Sequence, residues 1–149
     1  MNFLKQIKVI YTINVITSNN IIMGILLAIP RYLLGLAYVV FGLNFFFKFI
    51  PLPDMEGDAK VFMGILFASN FLLVVKIIEI AAGAMILLGV FSKLALIFLM
   101  PISVSILLFH TLIEQGNPVI SIVLVSFNFI SFFAYTEDLK GIFKGGVRV

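Results

Sequence analysis

Long apolar runs separated by short polar islands make up most of this chain. Residues 32–50, YLLGLAYVVFGLNFFFKFI, carry one charge in 19 positions. As a helix rising about 1.5 Å per residue they cover the ~30 Å of a bilayer's hydrocarbon and read as a first membrane span. Its start moves back to Ile21 if Pro30 bends the helix and Arg31 reaches for the headgroups. PLPDMEG (51–57) ends it, because two prolines and the acidic residues through Asp58 do not continue a lipid-facing helix. The next apolar region, 59–91, is too long for one upright span. Ser69 and Asn70 offer a break, with Asn70 as N-cap. The pattern therefore predicts a short interfacial or re-entrant helix over 59–68 and a second span over 70–90. A third span is expected over 93–113, closed by EQGNP (114–118), and a fourth over 119–135.

The ends are different in kind. Residues 1–18 are Ile-rich, with Lys5 and Lys8 on one side, and suit an interfacial helix. IIMGILLAI (21–29) follows two lysines but lacks a small-residue cleavage site, so it is expected to be retained. The organisation predicted is an N-terminal interfacial extension over 1–29, a four-span domain over 30–143 and a basic tail over 144–149. The fold class is all-α, an antiparallel four-helix bundle embedded in a membrane.

Composition agrees. The chain is 62% hydrophobic and 11% charged, with 17 phenylalanines and a mean hydropathy of +1.23, far from the usage of a soluble domain. There is no cysteine, which removes disulfides, thiol redox couples and thiolate metal sites. The net charge of +3 includes no basic tract that suits nucleic acid. Its distribution sets orientation: Lys5, Lys8, Arg31, Lys93, Lys140, Lys144 and Arg148 fall on one side of a four-span topology, against Lys48 and Lys60 on the other. The excess of basic residues on the cytoplasmic side places both termini in the cytoplasm of a plasma (inner) membrane and the acidic loop outside. Small residues seven apart, Gly35 with Gly42 and Ala82 with Gly89, mark helix faces that allow close approach. Phe45, Phe46, Phe47 and the SFNFISFF run read as lipid-facing or core filler rather than a cofactor box.

Polar residues inside the spans require a reason. Asn44 and Lys48 lie near the outer end of span one, Lys76 and Glu79 in the outer half of span two, His110 near the end of span three and Asn128 in the middle of span four. At ~2.5–3.5 kcal/mol for each charge in hydrocarbon, such groups are expected to converge in one interior layer. Lys76 and Glu79 are three apart and able to pair within their helix. His110, the sole histidine, has Glu114 one turn on, placed to orient the ring or join it at a metal; one histidine with carboxylates and no cysteine is weak support for a metal site, and the count excludes bis-histidine haem ligation. The expected proton-handling residues are Glu79 and His110. Asn44, Lys48, Lys76 and Asn128 are expected to hold a ligand.

RYLLGLAYVVFGLNFFFKF, the glutamate and glycines of KIIEIAAGAMILLGVFSK, and a proline in span three followed by LLFH together resemble the DoxX family of small four-helix membrane proteins. The resemblance runs from Pro30 to Phe143, and Arg31, Lys48, Glu79 and His110 sit at family-like polar positions. It implies a bacterial inner-membrane protein associated with quinone-linked redox chemistry or with membrane complexes of oxidative-stress defence. A quinone-interacting subunit is the first expectation, with donors for the quinone carbonyl from His110, Lys48 and Asn128 and a proton relay at Glu79. The alternative is a non-enzymatic scaffold whose polar layer specifies the bundle and whose acidic loop (Asp54, Glu56, Asp58) meets an extracytoplasmic protein. A small-solute or proton transporter is third and requires a homodimer, because four short helices without an inverted repeat enclose little.

Overall fold

The structure is a computed structural model that describes residues 24–25, 28–51 and 54–134. The predicted interfacial helix over 1–18 and the basic tail over 144–149 lie outside the described residues. Five α-helices are described: α1 (Ala28–Phe47), α2 (Gly57–Ala68), α3 (Phe71–Leu88), α4 (Ser92–Leu108) and α5 (Val119–Ala134). Among the described residues there is no strand. Gly24 and Ile25 are helical as well. Helix α1, helix α3, and α4 with its continuation through Ile113 are long and apolar enough to cross a membrane; α5 is shorter and equally apolar.

Each helix ends for a local reason. Helix α1 stops three residues before the predicted end because Lys48 turns into the left-handed region, at φ 53°. Asn44 holds the chain beyond that turn. Its amide nitrogen donates to the Ile50 carbonyl at 3.0 Å, and its oxygen accepts from the Ile50 N–H at 2.6 Å. Asn44→Ala leaves both backbone groups of Ile50 without these partners and is expected to cost about 1–3 kcal/mol, measured as a lower thermal midpoint of the purified protein.

The predicted break at Ser69 and Asn70 is present, with Asn70 at the N-cap position of α3. It adopts φ 58° and makes no side-chain capping bond. Ser69 takes that role, its hydroxyl accepting from the Phe71 N–H at 3.4 Å and donating to the Leu66 carbonyl. At the other end of α3, Gly89 adopts φ 71° and closes the helix. A side chain at Gly89 would meet nothing within 4 Å, so the predicted pairing of Ala82 with Gly89 as a packing stripe is corrected. The small residue facing α1 is Gly83: a Cβ there would stand 2.8 Å from the Gly35 carbonyl oxygen and 3.1 Å from the Val39 nitrogen. Gly35 faces Gly83 in return, and Gly42 faces Ile80 and the Lys76 carbonyl. Helices α1 and α3 thus touch backbone to backbone.

Helix α4 packs on both α3 and α5. It carries Pro101 in its interior and continues into a five-residue π-turn, Phe109–Ile113, closed by a bond from the Glu114 N–H to the Phe109 carbonyl at 2.9 Å. Helix α2 lies against α3 and this π-turn, with Phe62 stacked on Phe109 and Phe67 near Phe45.

Most buried positions follow helical stripes: Leu34, Gly35, Tyr38 and Gly42 on α1, with Asn44 buried off that stripe; Glu79, Ala82, Gly83 and Ile86 on α3; Ser92, Ala95, Leu96, Leu99 and Ser103 on α4; Ser121, Leu124, Asn128 and Ser131 on α5. On α5 three of the four are polar, while Val119, Ile120, Ile122, Phe129, Ile130 and Phe133 are exposed. In water that arrangement is inverted. In hydrocarbon it is favourable, since the polar side chains turn away from lipid into the helix interior.

Candidate functional site

The predicted polar residues divide between two levels along the helices, and two residues outside the predicted set join them. At the deeper level, the Tyr38 hydroxyl of α1 lies 2.6 Å from the Ser103 hydroxyl of α4, and the Asn128 amide nitrogen of α5 lies 3.0 Å from the same oxygen. Ser103 sends its single proton to the Leu99 carbonyl, 2.8 Å away. Tyr38 is therefore the donor in its pair, and the Ser103 oxygen accepts twice. Glu79 of α3 is buried as well, and among the described residues its side-chain hydrogen bond is with Lys76 and not with this network. The Asn128 oxygen and the Ser131 hydroxyl, both fully buried, have no hydrogen-bond partner among the described residues.

Glu79 is 2% exposed and carries an ion pair to Lys76, at 2.8 Å from Nζ to Oε2. The i,i+3 spacing read from the sequence produces this contact. Lys76 is 19% exposed, so the pair joins a sealed carboxylate to a partly accessible ammonium. Removing either partner is not symmetrical in consequence: the lysine stem can extend to an interface, whereas the carboxylate has nowhere to go.

At the shallower level, the π-turn presents His110. Its Nδ1 donates to the Ile106 carbonyl at 2.8 Å, which leaves Nε2 facing the Glu114 carboxylate at 3.4 Å. The ring is 33% exposed and Glu114 24%. His110 is seven residues from Ser103, about 10 Å along the helix, and so stands apart from the Tyr38–Ser103–Asn128 network. Lys48 is exposed beyond the end of α1, and Asn44 has both of its amide heavy atoms engaged with Ile50. The single layer expected from depth is therefore corrected: Asn128 belongs to the deep network, Glu79 is buried in an ion pair with Lys76, and Asn44, Lys48 and His110 lie nearer the end that carries α2. Among the described residues no group of three or more histidine, aspartate or glutamate side chains is placed to hold a metal ion.

Tyr38 and Ser103 are not predictable from residue type, because each is an ordinary residue in a membrane helix. Register holds the signal for Tyr38: positions 35, 38 and 42 are one stripe, and the two glycines on it mark a packing face. Ser103→Ala removes the acceptor of two buried donors. With interhelical hydrogen bonds in membranes averaging about 0.6 kcal/mol, a loss of about 1–2 kcal/mol is expected, read as the unfolding midpoint in detergent.

A family model described as DoxX matches residues 22–111, more than half of the chain and inclusive of α1 to α4 up to the π-turn. No curated protein and no solved structure matches the chain.

Proposed function

The chain belongs to the DoxX family, and from that premise we propose that it is a membrane subunit or accessory protein of a quinone-linked redox or oxidative-stress complex, with Glu79 as the proton-handling group. In this reading α1, α3, α4 and α5 form an antiparallel four-helix bundle in a bacterial inner membrane. The termini are cytoplasmic, and α2 lies at the outer face beside the acidic loop, where an extracytoplasmic partner docks. The observation that carries the reading is the ion pair of a sealed carboxylate, Glu79, with a partly accessible ammonium, Lys76, beside a network with hydrogen-bonding capacity to spare.

Reduction of a quinone consumes two electrons and two protons. The chain has no cysteine, so its share of that chemistry is the proton and the placement of the ring, with electrons supplied by a partner or by a bound cofactor. A quinone held here would take a hydrogen bond from Lys76, Glu79 would exchange the proton, and the unpartnered Asn128 oxygen would be the acceptor for a hydroxyl of the reduced form. His110, with Nε2 turned towards Glu114, handles protons nearer the surface.

The test is mass analysis of lipids and cofactors that accompany the protein out of its own membrane. A quinone retained at about one per chain supports the proposal; protein that carries none, from a membrane rich in quinone, sinks it.

A second reading has its own support. Ser103 has its proton and both acceptor sites in use within the protein, and Asn44 is a loop clasp. Both suit a scaffold whose polar groups fix helix register. If Glu79→Gln and His110→Ala proteins accumulate and restore a deletion strain fully, the scaffold reading replaces the redox one. Transport is disfavoured by the fully buried apolar side chains Leu34, Ile86, Leu96 and Leu99, which close one end of the helix interior.

A further inference from the structure

We propose that Glu79 exchanges its proton with only one end of the molecule, the end that carries α2, by way of Lys76, and that Tyr38 and Ser103 form the blind end of that path. The inference rests on the reading of Glu79 as the proton-handling group and adds to it a side of access.

Three independent features converge. Lys76 lies one turn before Glu79, towards Phe71 and the Ser69–Asn70 junction with α2, and helical side chains lean towards the N-terminus of their own helix. It is also the more accessible member of the pair, at 19% against 2%. A route out therefore starts at the carboxylate and runs towards α2.

The second feature is the direction of the hydrogen bonds past Glu79. A proton moves along a chain only if each member passes one on as it receives one. Tyr38 points its proton at Ser103, Ser103 points its own at the Leu99 carbonyl, and Asn128 presents an N–H to Ser103 rather than an acceptor. An amide carbonyl within a helix hands nothing onward. Every donor converges on Ser103, and the chain stops there.

Third, the interior of α1, α3 and α4 beyond that point is mainly apolar, with Ser131 of α5 and Ser92 at the start of α4 as the buried polar side chains there. Leu34, Ile86, Leu96 and Leu99 are fully buried, with Ala82 and Ala95 between them. They separate the network from the end of the molecule where α3 turns into α4. The titratable partner of Glu79 is Lys76 on its own helix, and the buried polar side chains of the neighbouring helices are Tyr38 on α1, Ser103 on α4, and Ser121, Asn128 and Ser131 on α5. Arg31 and Lys93 occupy the starts of α1 and α4, across the apolar zone.

The consequence is directional chemistry. A hydroquinone beside Glu79 that gives two electrons to a redox partner releases its two protons on the α2 side. A quinone that receives two electrons draws two protons from the same side.

The absence of native cysteine makes the test clean, since an introduced thiol is the only one present. Single variants Lys76→Cys, Glu79→Cys and Ser103→Cys are treated with a membrane-impermeant charged thiosulfonate in right-side-out and inverted vesicles. Lys60→Cys and Lys93→Cys mark the two faces. Position 76 is expected to react only from the face that labels Lys60→Cys, position 79 more slowly from that face, and position 103 from neither. Reaction of Glu79→Cys or Ser103→Cys from the Lys93 face overturns the proposal, as does reaction of Lys76→Cys from both faces or from none. If Glu79→Cys does not accumulate, the other two positions decide. Labelling reads access whether or not a ligand is bound, so its failure is distinct from failure of the quinone reading, which the retained-cofactor analysis reports.

Discussion

Lys76→Met destabilises the protein by about 3–5 kcal/mol, the usual cost of stripping a buried charge of its partner. Glu79 is 2% exposed and its ion-pair partner is the Lys76 ammonium, so the carboxylate is left in a site built for a pair. Glu79→Gln is expected to cost far less, about 1 kcal/mol, because the amide retains hydrogen-bonding capacity and the freed lysine extends to the interface. The double variant Lys76→Met/Glu79→Met fills the same space without charge and is expected to be neutral or more stable by about 1–4 kcal/mol. Unfolding of the four proteins in one detergent measures all three changes. Equal losses for the two single substitutions would contradict the burial asymmetry.

Gly83→Ile is expected to abolish the fold. A Cβ at position 83 meets the Gly35 carbonyl and the Val39 nitrogen, which are backbone and cannot swing aside. Even Gly83→Ala, with its single added methyl, forces α1 away from α3 at a cost of about 1–3 kcal/mol. The branched side chain adds several more atoms at the same contact. Gly64 supplies the control: it lies inside α2, where an added methyl group would meet nothing within 4 Å, and Gly64→Ala is expected to gain about 0.8–1.0 kcal/mol from helix propensity alone. Yield and monodispersity after extraction separate the outcomes, and a well-behaved Gly83→Ile protein would show that α1 and α3 do not meet at this point.

The position of the spans is legible in the sequence, whereas the height of a polar group within its span and its direction around the helix are not. The spans announce themselves because apolar runs of this length have one destination, and the excess length of 59–91 is enough to reveal α2. Within a helix that is apolar on every side, hydrophobic periodicity carries no phase. Asn44, Lys76 and Asn128 therefore read as one layer, whereas Asn44 clasps the chain beyond the end of α1 and Asn128 bonds to Ser103 deeper in the bundle. Where a marker of phase exists, it works: Gly35 and Gly42 identify the face of α1 that packs on α3, and Tyr38 lies on that same stripe. Gly89 misleads because glycine serves two purposes, close approach and left-handed helix closure, and the sequence alone does not distinguish them. The spacing of Lys76 and Glu79 is decisive because it is internal to one helix and needs no knowledge of neighbours. The clasp of Asn44 on Ile50 depends on a turn at Lys48, a residue with no special preference for positive φ, and has no readable signal.

What separates a redox role from a scaffold is whether Glu79 and Lys76 meet a ligand. The direct measurement is the thermal midpoint of the purified protein with and without menaquinone, in the natural sequence and in Lys76→Met/Glu79→Met. At a hundredfold excess over Kd, binding contributes about 2.7 kcal/mol, an upward shift of about 5–10 °C for a chain of this size. The natural protein is expected to show that shift, and the double variant to fold at least as stably and show none. An unmoved natural protein, or a double variant that shifts equally, would contradict the assignment of the buried pair to quinone chemistry.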